Sequence, residues 1–145
     1  MTVEDTFAYL TGSWTLSRAI VDHRGLTSGS FEGRAEVQAR GTRGRYEEHG
    51  RLRWARYDGS ARRVLDLVGT DDGVVAVRFT DGRAFFDLDL SSGTCQAVHQ
   101  CGADRYELEF AAGSTELLIE RWRVRGPDKD YEARTTWRRR STLES

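Results

Sequence analysis

Residues 74–88 read Val-Val-Ala-Val-Arg-Phe-Thr-Asp-Gly-Arg-Ala-Phe-Phe-Asp-Leu, two apolar runs on either side of Asp81-Gly82. An Asp-Gly pair between alternating apolar residues is among the strongest local signals for a β-hairpin. A two-residue turn there pairs Phe79 with Ala84, Val77 with Phe86 and Val75 with Leu88. Side chains alternate across a strand, so these six share one face and Arg78, Arg83 and Asp87 take the other. Register and apolar pattern agree, as expected for a hairpin with one buried face.

The same pattern extends in both directions. Strand-like runs cover 13–22, 29–40, 45–57, 61–68, 74–80, 83–90, 94–101, 104–111, 115–125 and 129–141. Turn dipeptides separate many of them: Asp58-Gly59, Asp72-Gly73, Ser92-Gly93 and Gly113-Ser114, with Pro127 in a turn of its own. Regular short strands of this kind predict an all-β fold, a single closed antiparallel up-and-down barrel of about ten strands over residues 1–145, with a sandwich as the alternative. One short helix is expected at Val3–Leu10, plugging one end. Thr2 would cap it, Asp5 would complete a capping box, and Gly12 would provide the left-handed stop.

Composition narrows the function classes. The formal net charge is −1, whereas a dedicated nucleic-acid binder usually presents a strongly basic surface. Arg138-Arg139-Arg140 is the one basic cluster and reads as a solvated strand end. No run approaches the ~20 apolar residues of a membrane helix, and no apolar leader follows Met1, so a cytoplasmic location is expected, with no membrane partner. Cys95 and Cys101 are too few for a disulfide framework. Lys129 is the single lysine, which leaves one turn-borne candidate for Schiff-base chemistry.

Strand parity places polar residues on the inward faces. Arg18 falls with Trp14 and Leu16, Tyr46 and Glu48 with Leu52 and Trp54, and Arg63 with Leu65 and Leu67. His99 shares a face with Cys101, Tyr106 with Leu108 and Phe110, and Arg139 with Trp137. Buried charges are costly unless paired or met by a ligand. These residues are therefore expected to meet in one interior pocket. His99, Glu48, Tyr46 and Tyr106 are the candidate acid–base groups. Arg18, Arg63, Trp54, Cys101 and Trp122 are the candidate ligand contacts, and Trp14 and Arg139 form the structural floor. Cys95, His99 and Cys101 share parity, but strand residues four apart lie roughly 13 Å apart, too far to hold one ion together. No metal or other cofactor is expected.

Gly12-Ser13-Trp14, after a short helix and before the first strand, resembles the Gly-x-Trp signature of lipocalin and calycin barrels. Nearly the whole chain also resembles a bacterial family known as domain of unknown function 6314. The resemblance rests on Leu10-x-Gly12-x-Trp14 with Arg18, Gly29-x-Phe31-x-Gly33, Tyr46-x-Glu48-x-Gly50, and Phe79-Thr80-Asp81-Gly82-Arg83. It continues through His99-Gln100-Cys101 with Asp104 and Tyr106, and Gly126-Pro127-Asp128-Lys129-Asp130-Tyr131. The family pattern has histidine where this chain has Phe86, and tyrosine where it has Leu65 and Trp137, so no role of those side chains carries over. The resemblance implies a calycin-like barrel and leaves its activity open.

Three readings of function follow. In the first, a cofactor-independent enzyme uses His99 or Glu48 as base and Tyr46 or Tyr106 as proton donor. Arg18 and Arg63 then hold a small anionic metabolite through isomerisation, cyclisation, dehydration or decarboxylation. The convergence of acid, base and anion-binding groups favours this reading. The second is a non-catalytic carrier or sensor of a small polar molecule, and the third a haem barrel with His99 as axial ligand. A small polar or anionic organic ligand is the expected partner, with room left for a homodimer.

Overall fold

A computed structural model describes Met1–Ser141. One helix, α1 (Thr6–Leu10), precedes ten strands: β1 (Gly12–Asp22), β2 (Thr27–Arg40), β3 (Arg43–Trp54), β4 (Tyr57–Gly69), β5 (Val75–Arg78), β6 (Ala84–Leu88), β7 (Thr94–Cys101), β8 (Asp104–Ser114), β9 (Leu117–Arg125) and β10 (Asp130–Arg139). All pair antiparallel in one sheet, ordered β6-β5-β4-β3-β2-β1-β10-β9-β8-β7. The first and last strands make a full ladder, from Trp14↔Arg139 to Asp22↔Tyr131. The seam of the nearly closed barrel therefore falls in mid-chain, where β6 and β7 lie together without a backbone ladder.

The N-terminal segment closes one end of this seam. Val3 N donates to the Leu90 carbonyl at 3.0 Å, and the buried Thr6 hydroxyl accepts from Leu90 N at 3.0 Å. The terminal ammonium donates to the Ala112 carbonyl across the barrel end. Asp5 is itself the N-cap, accepting from Ala8 N, which shortens the helix expected from Val3. Thr11 ends it in an extended conformation, and Gly12 opens β1 with φ +125°.

Two turns differ from the expected positions, and a third forms in place with a shifted register. Between β3 and β4 the chain reverses at Ala55-Arg56, with Ala55 at φ 54°, so Trp54 pairs with Tyr57. Asp58 and Gly59 lie inside the ladder, where the Asp58 carboxylate meets Arg51 and Arg53. Gly113-Ser114 belongs to β8, beside an irregularity at Ala112/Ser114, and the chain turns after it. At Asp81-Gly82 the turn forms, and Val75↔Leu88 and Val77↔Phe86 pair as the alternation requires. A register shift at Val77/Arg78 then pairs Ala84 with Arg78 rather than Phe79, leaving Ala84 exposed and Phe85 buried.

The barrel floor is built on Trp14, which is fully buried and donates its indole N–H to the Leu10 carbonyl at 2.9 Å. Tyr9 and Trp137 pack against its ring. The apolar core fills this half of the barrel with Leu16, Ala35, Val37, Leu67, Leu118 and Ala112. The opposite end, where β3 finishes at Trp54 and β10 begins near Tyr131, carries no such plug.

Candidate functional site

Four strands bring their inward polar residues to one level in the middle of the barrel. Arg18 comes from β1, Tyr46 and Glu48 from β3, Arg63 from β4 and Thr135 from β10. Glu48, 4% exposed, is the hub. Arg18 holds it in a two-point fork, Nη1 to Oε2 at 2.9 Å and Nη2 to Oε1 at 3.1 Å. Arg63 Nη2 donates to Oε1 at 3.0 Å, and the Tyr46 hydroxyl donates to the same oxygen at 2.5 Å. Arg18 Nε is satisfied by the Thr135 hydroxyl at 2.7 Å.

The environment decides what these groups can do. Burial alone would raise the Glu48 pKa, but the charge of Arg63 and the hydrogen bonds and charge of Arg18 outweigh it and hold the carboxyl at about 2. Burial, then the neighbouring Glu48 charge, pushes the Tyr46 phenol well above its ordinary value. Both groups are thus locked in the forms they hold at neutral pH, a carboxylate and a neutral phenol. Burial would lower the Arg63 pKa, and the charge of Glu48 reverses the shift.

Arg63 is the member of this network that faces open space. Its guanidinium carbon lies 4.8 Å from the centroid of the Trp122 ring and 5.9 Å from that of Tyr46. Its Nε is buried with no hydrogen-bond partner. On the open side lies a lobe of about 180 Å³ walled by Arg18, Ile20, Leu52, Trp54, Trp122 and Tyr131, with Arg63 at its base. On the deep side a lobe of about 40 Å³ is lined by Tyr46, Leu65, Phe86, Phe110, Glu120 and Trp137, again with Arg63 and Trp122.

Glu120 and Tyr131 extend the set that parity reasoning selected. Glu120 is 3% exposed; its carboxylate accepts from the Trp137 indole N–H at 2.9 Å and from the Trp122 indole. It shares a face with Leu118, Trp122 and Val124, so strand alternation places Glu120 inward. Tyr131 packs edge-on against Trp54 at 5.1 Å, a pairing made by the curvature of the barrel between β3 and β10.

His99 and Tyr106 lie elsewhere. They sit beside the seam, in an aromatic cluster with Phe79 and Phe85, their ring centroids 6.0 Å apart. Neither lines the two lobes; Tyr106 lies 6.1 Å from the ring of Trp122, which lines both. Cys101, expected on the pocket wall, is exposed at the very end of β7, next to the Gly102 turn, because the strand has already left the barrel rim there. Cys95 is half-buried on the seam, its Sγ 3.7 Å from the Asp87 carbonyl. The floor pair is distinct from both sites: Arg139 stacks over Trp14.

A larger concavity, about 660 Å³, is on the outside of the barrel, over β7 to β10 and β1. Its Arg105–Glu107 pair is exposed, and its partly buried Arg123, whose Nε also lacks a hydrogen-bond partner, is held by Asp130 and Glu132. Exposed pairs of this kind need no ligand to satisfy them. The smaller interior lobes hold the desolvated charges and are the candidate site.

Several solved structures share this fold. The S-type phycobiliprotein lyase CPES from Guillardia theta superposes with a TM-score of 0.72 at 14% identity, over 98% of this chain and 94% of that one. The barrel EF1p2_mFAP2b bound to DFHBI gives 0.52 at 9% identity, over 96% of this chain and 100% of that one. The redesigned barrel mFAP0 bound to DFHBI gives 0.50 at 11% identity, over 90% of this chain and 99% of that one. No curated protein matches the sequence. Residues 10–139 match the family of unknown function DUF6314, and the chain belongs to that family.

Proposed function

We propose that this barrel binds a small organic molecule in its open-end cavity. An acceptor group of the ligand (a carboxylate, phosphate or carbonyl) takes hydrogen bonds from Arg63, and Trp54, Trp122 and Tyr131 wall its remainder. The observation that carries this reading is the Arg63 guanidinium, which lines both lobes, is 31% exposed and holds Glu48 through one nitrogen. A ligand acceptor would meet the donors that Glu48 leaves unused, offsetting the cost of a charged donor left unpaired. The lobes are smaller than the ~300–1,000 Å³ of drug-sized sites, which favours a small metabolite. The likeness in fold to a phycobiliprotein lyase and to two DFHBI-bound barrels supports small-molecule binding in general terms.

The geometry supports a binding or carrier role better than acid–base catalysis. A carboxyl held at about 2 is a poor general base, and a phenol raised well above its ordinary value is a poor acid. His99, the other candidate base, lines neither lobe.

A ligand-observed NMR screen of small carboxylates, phosphates and ketones tests the reading. Hits should perturb the Trp122 indole resonance. Arg63→Met, which keeps the length of the stem, should weaken them about tenfold or more, the worth of a hydrogen bond to a charged group. Hits that bind Arg63→Met undiminished, or that map to Arg121 and Arg134 on the outer face, would overturn it.

A further inference from the structure

The deep lobe holds a second buried carboxyl, Glu120, outside the hydrogen bonds of the Arg18–Glu48–Arg63 network. Glu120 is as buried as Glu48, yet among the described residues no arginine, lysine or histidine nitrogen forms an ion pair with it. Its two oxygens each take one hydrogen bond, from the indoles of Trp137 and Trp122. A carboxylate oxygen can accept two, so each retains accepting capacity. Indole N–H groups are neutral donors, and the charges of Arg63 and Arg18 reach Glu120 without an ion-pair contact, so its spare lone pairs stay open to a further donor. Leu65, Phe86 and Phe110 wall the same lobe, where a buried acceptor with spare capacity is best met by a further donor.

Arg63 lines both lobes, whereas Glu120 lines only the deep one. The deep lobe has about 40 Å³ free, and on the order of 10–15 Å³ suffices for one water. It therefore accommodates a small head group such as an ammonium, an amine or a hydroxyl. The four interior charges, Arg18 and Arg63 against Glu48 and Glu120, also cancel, so the cavity has no net demand for an anion.

Resting on the binding reading above, we infer that the ligand is dipolar: its acceptor end meets Arg63, and a cationic or hydrogen-bond-donating end meets Glu120 in the deep lobe. The ligand class is then a small zwitterion or a neutral amino or hydroxy compound, rather than a simple anion. Glu120 is the specificity-determining residue, because it discriminates ligands that share the acceptor but lack the donor. Sites built to satisfy a ligand donor reject analogues that lack it, since the buried acceptor is then left unpaired.

Matched probes test this on the unmodified protein. Affinities of benzoate, benzylamine and the meta and para isomers of aminomethylbenzoate are measured by titration calorimetry, with Glu120→Gln as the comparison variant. At least one zwitterionic isomer should bind about tenfold or more tightly than benzoate or benzylamine, the worth of one charge-assisted hydrogen bond. Glu120→Gln should erase that preference, with benzoate bound at least as tightly as before because a negative charge near Arg63 is gone. Benzoate bound through Arg63 with no gain for either zwitterion overturns the dipolar inference and leaves the binding reading standing. A preference that survives Glu120→Gln overturns the assignment of Glu120. If none of the probes binds, both readings fall. The wild-type comparison stands by itself should the variant not fold.

Discussion

The guanidinium carbon of Arg139 lies 4.1 Å from the centroid of the Trp14 ring, and its nitrogens donate to the carbonyls of Tyr9, Thr11 and Thr115. One side chain from the last strand thus ties the end of the helix, the start of β1 and the β8–β9 turn to the largest buried ring. Trp14→Ala should destabilise by roughly 3–5 kcal/mol in urea titrations, as removal of a large core aromatic does. Arg139→Lys should also destabilise, because a point charge replaces a planar fork that bonds three carbonyls. A loss near zero for Trp14→Ala would show that the floor closes without it.

Glu48 should shape the acid limb of the stability profile. Its carboxyl is lowered from an ordinary 4.5 to about 2 in the folded state. Between those values the unfolded chain binds more protons than the folded one, so stability rises with pH there. The contribution is complete above about 4.5 and is lost as pH falls towards about 2. Its size is roughly 3 kcal/mol. Melting temperatures from pH 2 to 6 should therefore climb more steeply for the wild type than for Glu48→Gln. Identical slopes would mean that the two arginines do not bias this carboxyl.

Gly33 and Gly50 face each other across β2 and β3. A methyl on Gly50 would lie 2.2 Å from the Glu32 carbonyl oxygen and 2.6 Å from Gly33 Cα, both backbone atoms. Backbone cannot rotate out of the way, so β3 would have to shift, and Glu48 two residues earlier would shift with it. Gly50→Ala should cost roughly 1–3 kcal/mol, as overpacking does. A fully stable Gly50→Ala protein would show that the strands separate more easily than their contact implies.

The seam should be the least protected part of the sheet. β6 pairs only with β5, and β7 only with β8, while β1 and β10 are laddered on both sides. In native-state hydrogen exchange, amides of β6 and β7 on the seam side should exchange well ahead of those in β1 and β10. Equal protection on the two sides would mean that a continuous ladder closes the barrel in solution.

Parity along each strand identified Arg18, Tyr46, Glu48, Arg63 and Trp54 as inward-facing because alternation is a local property of extended backbone. Glu120 was open to the same argument, being two residues from Trp122 on one face. His99 and Tyr106 satisfy the parity rule and still miss the lobes, since parity says inside or outside and nothing of the angular position around a barrel. The Ala55-Arg56 reversal could not be chosen from dipeptide preference, because Asp58-Gly59 nearby matches that preference better. The long β3–β4 ladder overrides it, holding Trp54 opposite Tyr57.

Local chemistry in the sequence was enough to determine the strands, most of their turns and the antiparallel barrel class, because alternation and turn residues act over a few positions. Only the tertiary structure decided where the barrel opens, and that β1 joins β10 while β6 and β7 stay unladdered. It also decided which inward charges touch. Strand tilt and stagger fix the height at which each inward residue sits, and those are properties of the closed sheet as a whole. For that reason Arg63 from β4 and Trp122 from β9 come within 4.8 Å across the interior, and the cavity forms around them.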